Sequence, residues 1–206
     1  MKDSVYIQSE ISSFYYKIQN SKFYSFIYPV SSVEEVKNNL SSLKNKYADS
    51  SHICYAYRLF SGYDLLNSYN TDDFSTDAGE PRGSSGPPIL KVLKRHQMIN
   101  VVIFVVRYFG GRKLGIPGLI EAYADAAEGL IDIKKKKKWF PTKRFELQYS
   151  YSLESSLNQL FKTFNIKIYK HEYNDCIISV FDINEKEVES FKQRLCDYPF
   201  KSIKII

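Results

Sequence analysis

The sequence predicts an α+β fold in two domains, residues 1–135 and 136–206. Its last third has strand-like and helix-like patterns in the order β-α-β-β-α-β, which is the ferredoxin-like arrangement. Residues 99–108 form a continuous apolar run, as expected of a strand buried on both faces. Five lysines at 134–138 lie between the two parts, and five adjacent like charges favour an exposed junction.

Apolar patterning in the first domain predicts three strands. Their side chains alternate in polarity or form continuous apolar runs. The predicted ranges are 22–30, 52–60 and 99–108. Residues 62–86 are a long polar stretch rich in Ser, Asp and Gly, and no strand is predicted within it.

Three helices are predicted between these strands. Ser32 and Glu35 have the spacing of a capping box, and the apolar residues that follow recur on one helical face. Pro87 and Pro88 suit the first turn of a second helix. Residues 118–133 are rich in alanine and predict a third helix that packs closely on a sheet.

The second domain has four strand-like and two helix-like segments. The strands are predicted at 143–151, 166–173, 176–183 and 200–206. Asn174 and Asp175 form a hairpin-turn signal between the second and third strands. Ser152 is the predicted cap of the first helix, and Asn184 with Glu187 resembles a capping box for the second.

Composition indicates a cytoplasmic globular protein. Of its 206 residues, 44% are hydrophobic and 25% charged, which is ordinary for a globular chain. Residues 1–13 contain no apolar segment of the kind found in signal peptides, and the longest apolar run is too short to cross a membrane. Three cysteines without a C-x-x-C pair favour reduced thiols, and we expect no membrane partner.

The net charge of +6 is unevenly distributed along the chain. Residues 1–133 hold 14 Lys and Arg and 14 Asp and Glu, whereas residues 134–206 hold 15 and 9. The lysines at 134–138 either bind nucleic-acid phosphates or form a solvated hinge or strand edge. The overall charge permits an acidic partner without requiring one.

Two glycine-rich loops, residues 76–90 and 107–119, each lead into a predicted helix. Free N–H groups at helix N-termini can bind an anion, or the glycines and serines can simply shape and cap the turn. The loop residues that could line such a site are Ser84, Ser85, Gly110, Gly111, Arg107, Arg112 and Lys113. Neither loop has a Walker A or dinucleotide-binding pattern, so no nucleotide cofactor is expected.

Two further groups of residues could carry chemistry. His52, Cys54 and Arg58 share one strand face, which suits either a nucleophile–base pair or a half-buried structural cluster. Asp77 and Glu80 are either an acid/base or Mg²⁺-binding pair or turn-forming carboxylates bound to backbone N–H groups. We predict no metal site and no catalytic residue.

Three stretches, "HICYAYR", "TDAGEPRGSSGPPIL" and "VVRYFGGRKLGIPGL", together resemble the IMPACT/YigZ family. The resemblance implies a first domain with the second-domain fold of a small-subunit ribosomal protein, also seen in elongation factor G. It also implies a ferredoxin-like second domain. Eukaryotic relatives dampen a starvation-sensing kinase by competing for its activator on ribosomes, and RNA or ribosome binding is proposed for bacterial relatives.

The resemblance assigns a strip of residues to the family's shared surface. The strip is His52, Cys54, Arg58, Asp77, Gly79, Glu80, Pro81, Gly83, Gly86, Arg107, Tyr108, Gly110, Gly111, Lys113, Leu114, Gly115 and Gly118. The chain departs from the family pattern at Ala78, Ser84, Ser85, Val106, Ile116, Pro117 and Glu121. Most of these departures remove a hydroxyl, carboxylate, cation or N–H, which predicts that a ligand shared by the family binds more weakly here or not at all.

The sequence therefore predicts a non-enzymatic binding protein linked to translation regulation, which contacts RNA, the ribosome or a ribosome-associated protein. Aromatic residues next to cations, at 107–109 and 138–140, suit base stacking beside phosphate contacts or belong to the core. The alternative is a small-molecule hydrolase that uses Asp77, Glu80 and His52. A third hypothesis is a regulator that binds only proteins.

Overall fold

In the computed structural model, which describes residues 5–65 and 68–206, the long apolar run is strand β6 (Val101–Tyr108). It is the central strand of a five-stranded antiparallel sheet with β2 (Ser12–Ile18), β3 (Ser21–Pro29), β4 (His52–Tyr63) and β5 (Tyr69–Thr76). The strand order is β2-β3-β6-β4-β5. Residues 101–107 are buried, as predicted for a strand covered on both faces.

Helices cover both faces of this sheet. Helices α2 (Gly86–Arg95) and α3 (Gly115–Glu128) pack on one face, and α1 (Val33–Lys46) packs on the other. Side chains alternate along β4, so Cys54 lies under α2 and α3 and Ile53 lies on the α1 face.

Local signals locate two of the helix starts correctly. The Ser32 hydroxyl accepts a hydrogen bond from the Glu35 backbone N–H at 3.2 Å, which confirms the predicted cap of α1. Pro87 and Pro88 lie in the first turn of α2, as predicted. Helix α3 begins at Gly115 and ends at Glu128, earlier at both ends than the predicted 118–133.

The sequence missed the edge strands of the sheet. Strand β5 lies inside the stretch interpreted as polar, because an edge strand in contact with solvent needs few apolar residues. Its Phe74 stacks on Tyr57 of β4 with ring centroids 5.3 Å apart. The sequence pattern does not show this contact, because it joins residues of two different strands. Strand β2, the opposite edge, was missed for the same reason.

Three residues of the lysine run, 136–138, lie in a strand, which is one of the alternatives that the sequence left open. Strand β7 (Lys136–Trp139) pairs antiparallel with β1 (Val5–Gln8) in a two-stranded ribbon. The chain divides into compact units at Met1–Trp139 and Phe140–Ile206, four residues later than the predicted boundary. Because the ribbon belongs to the first unit, the lysines do as well, and residues 140–206 hold only ten Lys and Arg against nine Asp and Glu.

The second unit has the predicted ferredoxin-like fold. Its elements are β8 (Thr142–Tyr149), α4 (Glu154–Thr163), β9 (Lys167–Tyr173), β10 (Ile177–Asn184), α5 (Val188–Leu195) and β11 (Ser202–Ile205). The antiparallel sheet has the order β11-β8-β10-β9. Asn184 accepts a hydrogen bond from the Lys186 N–H before α5, whereas Ser152 lies inside a short 3₁₀ turn before α4 and does not cap it.

Across the described ranges, no helix is both long enough and apolar enough to span a bilayer. The three cysteines are free thiols, of which Cys54 and Cys176 are buried and Cys196 is exposed.

Candidate functional site

Both glycine-rich loops meet at one end of the first unit's sheet. His52, at the start of β4, is in register with Arg107 near the end of β6. Glu80, in the loop between β5 and α2, contacts the same Arg107 at 2.6 Å. We call this region, formed by residues 76–86 and 107–115, the loop end of the sheet.

Asp77 organises the first of these loops. Its Oδ1 accepts hydrogen bonds from the backbone N–H groups of Ser85 and Gly86 and from the Ser85 hydroxyl, and its Oδ2 accepts one from the Gly83 N–H at 2.7 Å. Burial alone would raise the pKa of Asp77, but these hydrogen bonds outweigh it and lower the pKa. The buried Ser84 hydroxyl donates to a loop carbonyl. Asp77 is thus a turn-forming carboxylate, one of the two roles that the sequence left open.

Glu80 and Arg107 form a buried ion pair, with side chains only 3% and 6% exposed. The Glu80 Oε1 accepts from Arg107 Nη1 at 2.6 Å and from the Tyr123 hydroxyl at 2.9 Å. Arg107 Nη2 donates to the Ser21 hydroxyl at 3.4 Å, and Nε has no partner within the described residues. Arg107, one of the residues that the sequence suggested for an anion site, therefore has its charge neutralised inside the fold.

Cys54 and His52 belong to the same internal network. The Cys54 thiol donates to the Asp77 carbonyl at 3.0 Å and contacts the Tyr123 hydroxyl at 3.4 Å. Burial raises the pKa of Cys54 to about 11, so the thiolate needed for nucleophilic attack is suppressed. His52 Nδ1 lies 3.0 Å from the Ala78 carbonyl, which assigns the hydrogen to Nδ1, and its Nε2 is 4.0 Å from Glu80.

The carboxylates and the imidazole of the hydrolase hypothesis are all engaged in these contacts. A general base must reach a substrate proton with a free lone pair, and Asp77 and Glu80 direct theirs at the protein's own donors. Across residues 5–65 and 68–206, no group of three or more His, Cys, Asp or Glu side chains is placed to hold a metal ion. The arrangement stabilises two loops and the ends of β4 and β6.

The glycine pair in "RYFGGRKLG" serves two different needs. A Cβ atom on Gly110 would lie 2.1 Å from the carbonyl carbon of Asn20, so close approach requires glycine there. The positive φ, +83°, is at Gly111, where a Cβ would meet nothing within 4 Å. Gly86 is also a close approach, since its Cβ would lie 2.7 Å from the Thr76 backbone. Positive φ values also occur at Gly79, Gly83 and Gly115.

Three cations of the loop end remain on the surface. Arg82, Arg112 and Lys113 are exposed, and none of them pairs with a carboxylate in the described part of the chain. Phe109 is 48% exposed, and the guanidinium carbon of Arg107 lies 5.5 Å from the centre of its ring. The surface therefore combines exposed positive charge with an accessible aromatic ring.

Helices α2 and α3 both begin at the loop end, and α3 adds to this positive charge. Glu128, at the end of α3, binds both Arg95 and His96 at the end of α2, so the two helices run in the same direction. Both N-termini therefore point toward the loop end. At α2 the Asp77 carboxylate already accepts from the Ser85 and Gly86 N–H groups, and Pro87 and Pro88 have no N–H, so this terminus offers no free donor. Helix α3 has no acidic residue in its first turn, and its cap residue, Leu114, supplies no side-chain acceptor. The partial positive charge of α3 is thus uncapped by any side chain.

Two residues of the predicted strip, Tyr108 and Arg58, bind carboxylates that lie outside the glycine-rich loops. The Tyr108 hydroxyl donates to Asp49 at 2.7 Å, and this hydrogen bond raises the pKa of Tyr108 to about 12. Arg58 pairs in register with Val101, at the opposite end of β6, where its Nε binds Asp73 at 3.0 Å. The structure does not bring Arg58 to the loop end.

Residues 19–131 match the family model for the Impact N-terminal domain, which is more than half of the chain. The chain belongs to the IMPACT family. Over 181 residues it is 26% identical to an IMPACT family member of Haemophilus influenzae, covering 88% of this chain and 85% of the relative. Over 190 residues it is 25% identical to the IMPACT family member YigZ of Escherichia coli, covering 92% and 91%.

A solved structure shares the fold of this chain along its whole length. It is described as the crystal structure of an hypothetical protein and aligns with a TM-score of 0.64 at 23% sequence identity. The alignment covers 100% of this chain and 98% of the other.

The departures of this IMPACT chain fall at or beside the loop end. Ala78 adopts φ +45°, a left-handed conformation that alanine rarely takes, and Val106 is fully buried in β6. Ile116, Pro117 and Glu121 lie on the exposed part of α3, and Ile116 is 54% exposed. Pro117 lacks an N–H and Glu121 adds a negative charge, so both weaken anion binding at this helix.

Sequence reasoning missed three residues of the network. Tyr123 lies within the predicted third helix, but its hydroxyl contact with Glu80 depends on how α3 packs against the loop after β5. Ser21 accepts from the Gly110 N–H at 3.2 Å, across 89 residues of sequence, and Asp49 accepts from Tyr108. Nothing in the local pattern marks Ser21 or Asp49, because their partners are distant in sequence.

Proposed function

We propose that this IMPACT family member is a cytoplasmic, non-enzymatic binding protein linked to translation regulation, and that its loop end contacts RNA phosphates. The observation that carries the proposal is the combination of the uncapped α3 N-terminus with Arg82, Arg112 and Lys113, which are exposed and unpaired among the described residues. The link to translation is what the resemblance to eukaryotic relatives of the family implies.

Electrostatics favours an anionic ligand at this surface. Helix N-termini carry a partial positive charge and free N–H groups, and α3 begins here without an acidic residue in its first turn. Lysine and arginine add charge that binds phosphate without reading sequence. Phe109, exposed beside these cations, is suited to stacking on an unpaired base.

The same geometry argues for binding rather than catalysis. The side chains with catalytic chemistry, Glu80, Asp77 and Cys54, make internal hydrogen bonds, whereas the unengaged groups are cations and one aromatic ring. Cations and aromatic rings bind nucleic acids without a general base or nucleophile. Pro117 and Glu121 reduce the attraction, so we expect a dissociation constant near the nonspecific range of ~10⁻⁴–10⁻⁶ M.

Binding of a labelled single-stranded RNA, measured at several salt concentrations, tests the proposal. Lys113→Ala should weaken binding and flatten the plot of log K against log salt by about 0.7, the value for one phosphate contact on a single strand. Melting should stay unchanged because Lys113 is exposed. The matched control is Lys44→Ala on α1, which removes an exposed cation from the other side of the sheet and should leave the slope as in wild type.

Equal slopes for wild type and Lys113→Ala would mean that the loop end is a structural turn. Sedimentation of cell extracts at low and moderate salt then identifies the partner class. Co-migration with ribosomal fractions without RNA binding by the purified chain would assign a ribosome-associated regulatory protein instead of RNA.

A further inference from the structure

The lysine run forms an ordered ribbon at the other end of the first unit. Strand β7 pairs with β1 over four residues, with Lys138 opposite Tyr6 and Lys137 opposite Ile7. The backbone of Tyr6 is bonded to Gln97 and Ile99, just before β6 begins. The ribbon therefore lies at the start of β6, whereas the loop end lies at its finish, about 25 Å away at roughly 3.3 Å per residue.

Two side chains hold the ribbon in place. Trp139 packs against Phe60, with ring centroids 5.1 Å apart. Lys136 Nζ donates to the His96 carbonyl at 2.8 Å and lies 4.2 Å from the centre of the Tyr6 ring. His96 is the C-terminal cap of α2, where the helix dipole attracts a cation, so Lys136 acts as an anchor.

The neighbouring lysines are held on this ordered backbone without partners. Lys134, Lys137 and Lys138 are exposed, and no carboxylate in the described ranges pairs with any of them. Lys135 alone forms an ion pair, with Glu10 at 3.2 Å. Successive side chains of a strand point to opposite faces, so Lys137 and Lys138 present charge on both sides of the ribbon.

The net charge of the first unit is concentrated in this segment. Residues 1–133 have equal numbers of basic and acidic residues, so the five lysines account for the whole excess of the first unit. Uncompensated charges in one place repel one another, and the negative charge of a bound anionic polymer relieves that repulsion. Binding is also favoured because the polymer releases its condensed counterions. A backbone already fixed by Trp139 and Lys136 also loses little conformational entropy on binding.

We propose that the β1–β7 ribbon is a second nucleic-acid contact, which binds the phosphate backbone of RNA through Lys134, Lys137 and Lys138. It is separate from the loop end, and it rests on the proposed function only for the choice of RNA as the anionic polymer. The contact reads no bases, because flexible lysines act as point charges.

The test uses the full chain and a fluorescein-labelled single-stranded RNA of mixed sequence. The double variant Lys137→Gln with Lys138→Gln should weaken binding and flatten the salt slope by about 1.4, which is 0.7 for each of two contacts. The matched control, Lys37→Gln with Lys44→Gln on α1, removes the same charge from the opposite face of the sheet and should keep the wild-type slope. Lys113→Ala is measured in parallel.

The outcomes separate this inference from the proposed function. A wild-type slope for the ribbon variant, with a flattened slope for Lys113→Ala, overturns the ribbon and leaves the loop end standing. The reverse result overturns the loop end and supports the ribbon. Salt-independent binding by wild type overturns both. If the double variant has a lower melting temperature than wild type, Lys134→Gln is tested in its place, because Lys134 lies outside β7. The expected decrease in the salt slope is then about 0.7, for one phosphate contact.

Discussion

The Glu80 carboxylate accepts hydrogen bonds from Arg107 and Tyr123. The charged side chains of Glu80 and Arg107 are both almost fully buried. Removing one partner of such a pair leaves an uncompensated charge, which costs about 3–5 kcal/mol. We therefore expect Glu80→Gln to lower the free energy of unfolding by that amount in urea titrations. Glu121→Gln, at an exposed site on α3, should change it by less than about 0.5 kcal/mol.

A double-mutant cycle identifies the cause of that loss. Glu80→Gln combined with Arg107→Met removes both charges, so the double variant should be more stable than the sum of the two single losses predicts. Strictly additive losses would show that the pair is not coupled.

Gly110 is required by contact rather than by its own dihedral angles. The positive φ of the glycine pair belongs to Gly111 and not to Gly110. Because a Cβ on Gly110 would overlap the Asn20 backbone, Gly110→Ala should destabilise the first unit by about 1–3 kcal/mol or more in urea. Gly111→Ala, with open space around it, should cost about 1–2 kcal/mol through its φ alone. A larger loss for Gly111→Ala than for Gly110→Ala would contradict this assignment.

Asp77 makes part of the stability depend on pH. Its pKa in the folded chain lies below the ordinary value of 3.8, so the carboxylate stabilises the fold above that value and the contribution is lost as pH falls through the folded pKa. We expect Asp77→Asn to be less stable than wild type at pH 7 and the difference to shrink below about pH 4. Urea titrations at neutral and acidic pH measure it, and a difference that grows on acidification would disprove the assignment.

At the scale of elements, the attachment of the β1–β7 ribbon depends more on Lys136 than on the neighbouring lysines. Burial lowers the pKa of Lys136, whose ammonium group binds the His96 carbonyl. Lys136→Ala should release β7 and speed trypsin cleavage at the adjacent lysines, although it removes one cleavage site. Mass spectrometry of early digests measures the rates. Lys138→Ala also removes one site, but it should leave cleavage at the others unchanged.

Edge strands explain why element prediction succeeded in some places and failed in others. Strand β6 is buried on both faces, so its composition alone marks it as a strand. Strands β2 and β5 lie at the edges and are half exposed, so their polar residues mask the period-two pattern. Strand β7 is made mostly of lysines, and only its pairing with β1 makes it a strand.

At the scale of the whole molecule, the second unit has its own hydrophobic core. Phe145, Leu157, Phe181 and Phe191 are among its buried residues, and they come from both the sheet and the helices. We propose that this unit is an independent domain and expect a fragment of residues 140–206 to unfold cooperatively in urea. Circular dichroism of the fragment measures it, and a gradual, non-cooperative loss of signal would contradict the domain division.

The sequence by itself determined the features that depend on neighbours along the chain. The buried strand at the centre of the sheet, the Ser32 cap, the prolines that begin α2 and the β-α-β-β-α-β order follow from local periodicity and capping chemistry. The glycine-rich loops were also recognised from local sequence, and they carry part of the resemblance to the IMPACT family.

Only the tertiary structure decided what the charges of those loops do. Arg107 and Lys113 look alike in the sequence, yet the guanidinium is buried against Glu80 and the ammonium group lies at the surface. The difference arises because the loop after β5 brings a carboxylate to the end of β6, 27 residues away in sequence. A charge's role depends on its burial and on its partner, and residues far apart in the chain determine both.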